Sequence, residues 1–196
     1  MAIDDKGGAR EAWTAIAGLA PLLVFSNSLS SGLVLGVAFL VVHSTAAALS
    51  LLLPLRFGPA RVLGISLFGA AVAASLSATV LRLIDPFLFE TAYSRLFLTV
   101  CTVPVLRACL LPESVAERER SIENILRGLG YSVVVILAGA VREFLAAGSI
   151  SVNSASGPAS ASLLPIAAQP AGAFILIGLA AAAFKAAMAA AKGSER

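Results

Sequence analysis

The sequence predicts an all-α polytopic membrane protein of six transmembrane helices, arranged as an inverted three-plus-three repeat with two broken half-helices. Three observations lead there. The 196 residues are 59% hydrophobic and 13% charged, where a soluble domain carries roughly 25% charged residues. Apolar runs near the ~20 residues needed to cross a bilayer recur along the chain. Two of the apolar segments hold prolines, Pro21 and Pro104, at corresponding places in the two halves, as discontinuous helices of inverted repeats do. A chain of this length and composition has no room for a soluble domain of any size. The net charge of +3 is explained by loop charges that obey membrane topology, so the lipid bilayer is an expected partner and nucleic acid is not.

Residues 1–11 read as a polar cytoplasmic tail with no cleavable signal, and 12–192 as a single membrane domain followed by a short tail, 193–196. Repeat one covers about 12–85 and repeat two about 93–192. The first apolar segment, Ala12 to Phe25, is short, contains Pro21 and runs into SNSLSS. An unpaired backbone group in lipid costs several kcal/mol, of order 2–7, so such a segment is expected to be a half-helix covered by other protein. Gly32 to Leu53 is a full span ended by Pro54, and its Gly32 and Gly36 allow a close helix–helix approach. His43 lies within it, either as a proton relay or, the favoured reading, as a hydrogen-bonded structural residue. Arg61 to Leu83 is rich in Gly, Ala and Ser, which suits tight helix packing. Tyr93 to Leu111 holds Cys101, Cys109, Pro104 and Arg107. The charged stretch 112–126 reads as a wet connector.

The longest apolar run, Arg127 to Ala147, opens on Gly128 and Gly130 and closes on Arg142 and Glu143. A charge pair still inside an apolar helix must face protein, water or the interface. Two readings stand: an ion-path or partner contact near the non-cytoplasmic side, or, favoured, a snorkelling interfacial pair that ends the helix. Gly148 to Ser162 reads as an uncharged loop, and Ala168 to Ala191 as the last span. In this six-span reading ten basic residues, from Lys6 and Arg10 to Lys192 and Arg196, fall on one side, and Arg82, Arg95 and Arg142 on the other. That asymmetry places both termini in the cytoplasm.

Three blocks resemble a known family: GLAPLLVFSNSLSSGLVLG (Gly18 to Gly36), GLGYSVVVILAGAVREFL (Gly128 to Leu145) and LLPIAAQPAGAFILIGLAAAAFK (Leu163 to Lys185). They are similar to the small six-span subunits of the Rnf and Nqr redox-driven ion pumps, most of all the RnfE/NqrD branch with its GAxRE and PxGAFxxxGL patterns. The resemblance covers about Ala12 to Lys192. It implies a subunit in the bacterial inner membrane that pairs with an inverted homologue of the RnfA/NqrE kind. It also implies a [2Fe–2S] cluster held by one cysteine from each broken half-helix of each partner, through which electrons cross the bilayer in step with Na⁺ or H⁺ movement.

The chain departs from that pattern at the ligands. Where the family reads L-C-P, this sequence has Leu19-Ala20-Pro21, and alanine cannot bind metal. In the second half-helix Cys101 is the best match to the family ligand, with Cys109 its rival. Three readings stay open: a cluster with a substitute ligand, a diverged paralogue that has lost the metal, or ordinary buried cysteines. The leading expectation is a membrane subunit of an Rnf/Nqr-type electron-transport complex. The alternative is a non-redox scaffold or accessory subunit; a solute transporter is disfavoured by the thin polar set. No flavin or nicotinamide is expected on this chain, which has neither a Gly-rich phosphate loop after a strand nor a flavin-attachment sequence.

Overall fold

The computed structural model describes residues 18–52, 59–110, 121–150 and 164–193, and every regular element among them is helical. In chain order these are α1 (18–25), α2 (Leu29–Leu52), α3 (Pro59–Ile84), α4 (Pro86–Leu96), α5 (Leu98–Leu110), α6 (Ser121–Ala147), a 3₁₀ turn (Pro165–Ala168) and α7 (Pro170–Gly193). Among the described residues three stretches are long and apolar enough to cross a membrane: Leu29–Ser50, Ala60–Ile84 and Leu126–Ala147. Each has 22 residues or more, about 33 Å at 1.5 Å per residue, against a hydrocarbon core of about 30 Å.

Helix α2 is the hub, packing most extensively on α6 and α3 and also on α4 and α5. Its seam with α6 is made by small residues. A Cβ placed on Gly32 would lie 3.3 Å from the Gly139 Cα, and one on Gly139 would lie 2.6 Å from the Ser28 carbonyl oxygen. The Ser132 hydroxyl donates to the Gly36 carbonyl across this seam at 2.8 Å. The close approach offered by Gly32 and Gly36 is therefore made, and α6 is the helix that approaches. On the other side of α2, Val42 and Ala46 pack with Ala70, Ala73 and Ala74 of α3 and Val103 of α5. Hydroxyls inside the spans fold back onto their own helices, as in Thr45 to the Val41 carbonyl and Ser77 to the Ala73 carbonyl. Such back-bonding gives these hydroxyl protons an acceptor in an apolar setting, whereas the buried Ser66 hydroxyl of α3 has no partner among the described residues.

The helix ends follow local chemistry. Ser28 and Ser31 form a reciprocal cap on α2, each hydroxyl accepting from the other's backbone N–H at 3.2 and 3.0 Å. Asp85 stops α3 and caps α4: its carboxylate accepts from the Phe87 and Leu88 amides, both at 3.0 Å, and Pro86 fills the first turn. Gly148, at φ 71°, ends α6, its amide donating to the Phe144 carbonyl at 2.8 Å.

Two boundaries differ from the sequence reading. The stretch expected as one segment from Tyr93 is divided at Phe97 into α4 and α5. There the Val100 amide reaches back only three residues, to the Phe97 carbonyl at 3.1 Å, while the Thr99 hydroxyl takes the Leu96 carbonyl at 2.6 Å. Helix α6 starts at Ser121, within the stretch expected as a connector, because a helix continues past the bilayer wherever charged residues are solvated.

Candidate functional site

The distinctive site sits where α1 breaks. A helix leaves its last four carbonyls without intrahelical donors, and in an apolar setting each needs a partner. In α1 those are Leu22, Leu23, Val24 and Phe25. The Leu22 carbonyl takes the Ser26 amide at 3.0 Å, and the Leu23 carbonyl takes the Ser26 hydroxyl at 3.0 Å. The Phe25 carbonyl takes the Asn27 amide at 3.1 Å and a long contact from Arg95 at 3.4 Å. The Val24 carbonyl is served by Arg142, from α6.

Arg142 is 3% exposed and points into the protein. Its Nη1 donates to the carbonyls of Leu23, Val24 and Ser26 at 3.0, 2.7 and 3.1 Å. Its other edge faces the 3₁₀ turn: Nε donates to the Ala167 carbonyl at 3.0 Å and Nη2 to the Gln169 carbonyl at 3.3 Å. The neighbouring Glu143 accepts the Leu29 amide at 2.6 Å, at the first turn of α2. The cation thus meets the C-terminal carbonyls of one helix and the anion the N-terminal amides of the next, so each sits at the helix pole of opposite sign. The favoured expectation of a snorkelling pair is corrected. A snorkelling guanidinium reaches for water, whereas unpaired carbonyls at the α1 break draw this one inward.

The second part of the site is the pairing of α1 with α5. Gly18 lies against Leu106, where an added Cβ would be 2.8 Å from its Cδ2. At the other end the Arg95 guanidinium lies 5.9 Å from the Phe25 ring. α1 therefore runs antiparallel to the α4–α5 stretch, its start on Leu106 of α5 and its end by Arg95 of α4, and Cys101 lies on α5 between these two contacts. Ala20 is half-buried and Cys101 is an exposed free thiol. Thr99 and Thr102 beside it are buried, so the thiol side of α5 faces away from the chain's own core. Pro104, one turn on, sits inside α5 and has no N–H to give the Val100 carbonyl. The side chain of the rival, Cys109, lies outside the described residues. Among the described residues no group of three or more His, Cys, Asp or Glu side chains comes together.

His43 was expected to be hydrogen-bonded. It is 4% exposed and set edge-on to Phe39 with ring centroids 4.4 Å apart, and its Nε2 has no partner among the described residues. The sequence reading missed the 3₁₀ turn altogether. Its signal was Pro165 five residues before Pro170, two prolines that a single continuous span would not carry.

Long apolar helices and a first helix that breaks inside the protein against an interior charge pair, with an exposed thiol at Cys101, define a polytopic α-helical membrane protein. The chain belongs to the family of Rnf-Nqr subunit membrane proteins, whose family model matches residues 10–181. No curated protein and no solved structure matches it.

Proposed function

We infer that this chain, as a member of the Rnf-Nqr subunit family, is a membrane subunit of a multi-subunit complex. We propose that it belongs to a redox-driven, ion-translocating electron-transport complex of the Rnf/Nqr type, passing electrons across the bilayer beside an inverted homologous partner of the RnfA/NqrE kind. In this reading the chain is an RnfE/NqrD-like six-span inverted repeat in a bacterial inner membrane, with both termini cytoplasmic. The antiparallel pairing of α1 with the α4–α5 stretch supports the repeat. The grouping of Arg95 and Arg142 at the α1 break, with Arg61 and Arg127 at the opposite helix ends, supports the orientation.

The observation that carries the reading is Cys101: an exposed thiol at the level where two short helices meet. A [2Fe–2S] cluster takes four thiolates and would supply one-electron transfer. This chain's described residues fit such a group only as one contributor to a site shared across a subunit boundary, with Cys101 giving one ligand and Ala20 none. The half-helix pair holds the thiol at a fixed depth, and the buried Thr99 and Thr102 turn it toward a neighbouring subunit. A second reading, a non-redox scaffold that keeps the fold without metal, is favoured by Ala20 alone.

The test is iron content and the reduced-minus-oxidised electron paramagnetic resonance spectrum of the purified complex, beside Cys101→Ser. A cluster signal that is present and then lost in the variant supports electron transfer. A complex that assembles equally well with and without Cys101 and holds no iron at this subunit leaves the scaffold.

A further inference from the structure

We propose that the carbonyls of Leu23, Val24, Ser26, Ala167 and Gln169 form a binding site for a planar cation, filled by the Arg142 guanidinium, that clasps α1 to the turn before α7. Five backbone oxygens from two irregular segments converge on one side chain at 2.7 to 3.3 Å. The guanidinium divides between them by its own shape. Nη1 serves the α1 end, while Nε and Nη2 serve the turn. A flat fork with donors on separate edges can hold both segments at once, and the single nitrogen of a lysine cannot.

Both segments pack on apolar neighbours, Leu22 and Leu23 with Leu35, Phe39 and Val135 and the turn with α6 and α7, and Arg142 adds a polar link between them. The turn is tied to α6 by the Leu164 amide, which donates to the Leu145 carbonyl at 2.8 Å. It folds back tightly on α7, where a Cβ on Gly172 would collide with the Ile166 carbonyl oxygen. The Leu29 amide on Glu143 holds the start of α2 to α6, and the serine cap closes the turn between α1 and α2. Arg142 therefore joins what would be two separate breaks into one unit. Because Gly18 rests on Leu106, a shift of α1 is passed to α5, which carries Cys101. The clasp does not depend on iron being bound at that thiol.

A cation site of this kind accepts a free ion of the same chemistry once its tethered occupant is removed. The experiment is hydrogen exchange on the full chain in its membrane complex, comparing wild type, Arg142→Ala and Arg142→Lys. In Arg142→Ala, exchange of residues 23–28 and 164–169 is expected to quicken by about tenfold or more while the middle of α3 is unchanged. Millimolar guanidinium slows it again, and sodium at equal ionic strength does not. Unchanged exchange in the two segments, or quickened exchange that guanidinium fails to slow, overturns the proposal. Should the alanine variant fail to accumulate, Arg142→Lys decides. It is expected to lose protection in at least one of the two segments, and wild-type protection of both overturns the clasp.

Discussion

At the scale of single residues, Glu143 and His43 give opposite expectations. Glu143 brings a negative charge to the first turn of α2, accepting the Leu29 amide at 2.6 Å. Glu143→Gln keeps an oxygen acceptor but loses the charge at the helix pole, a cost of about 0.5–1 kcal/mol. The thermal midpoint of the detergent-solubilised protein should fall by about 2–4 °C per kcal/mol for a chain of this size. His43 presents the reverse case, a buried nitrogen with no partner among the described residues. Replacing an unsatisfied polar group by an apolar one of similar bulk is near neutral or stabilising, so His43→Leu should leave the midpoint level or raised. An activity lost at unchanged stability would mark His43 as part of a proton path. Much of the candidate site was legible at this scale. Arg142 and Glu143 stand out as charges in an apolar run, and Cys101 as a thiol in a proline-bearing one. What the pair binds was not legible, because its targets are backbone carbonyls and an amide, which every residue carries and no pattern marks.

At the scale of elements, the seam between α2 and α6 separates glycines that are needed from glycines that are incidental. A Cβ at Gly139 would meet the Ser28 carbonyl oxygen at 2.6 Å and the Gly32 Cα at 3.1 Å, both backbone, so neither can swing aside. Gly139→Ala should destabilise by about 1–3 kcal/mol, the usual cost of overpacking. At Gly178 an added Cβ meets nothing within 4 Å. Gly178→Ala should therefore be neutral or stabilising by up to about 1 kcal/mol, since alanine is the better helix former. Unfolding midpoints of the two variants measured side by side check the contrast. Hydropathy located the helices well because it reports which residues shun water. It misplaced the start of α6 and missed the joint at Phe97, because helix ends are set by hydrogen-bond supply rather than apolarity. Where Ser, Thr and Asp side chains offer the backbone another partner, as at Ser28, Asp85 and Thr99, the helix stops, caps or tightens.

At the scale of the whole molecule, composition was enough to predict an all-helical membrane body. The uneven spread of lysine and arginine gives a further expectation. A reporter fused after Arg196 should be active in its cytoplasmic form and silent in its exported form, and the reverse result would invert the proposed orientation. The contacts that close the structure join distant parts of the chain. Arg142 lies 116 to 119 residues beyond the carbonyls it serves in and after α1, and Glu143 lies 114 beyond the amide it receives. That separation has a biosynthetic consequence. A ribosome adding about 5–20 residues per second delivers Arg142 roughly 6–24 seconds after Leu23. For that interval the Leu23 and Val24 carbonyls lack the guanidinium that later serves them. The insertion machinery must shelter the nascent first helix, or leave it beside the bilayer, until the second half of the protein has been made.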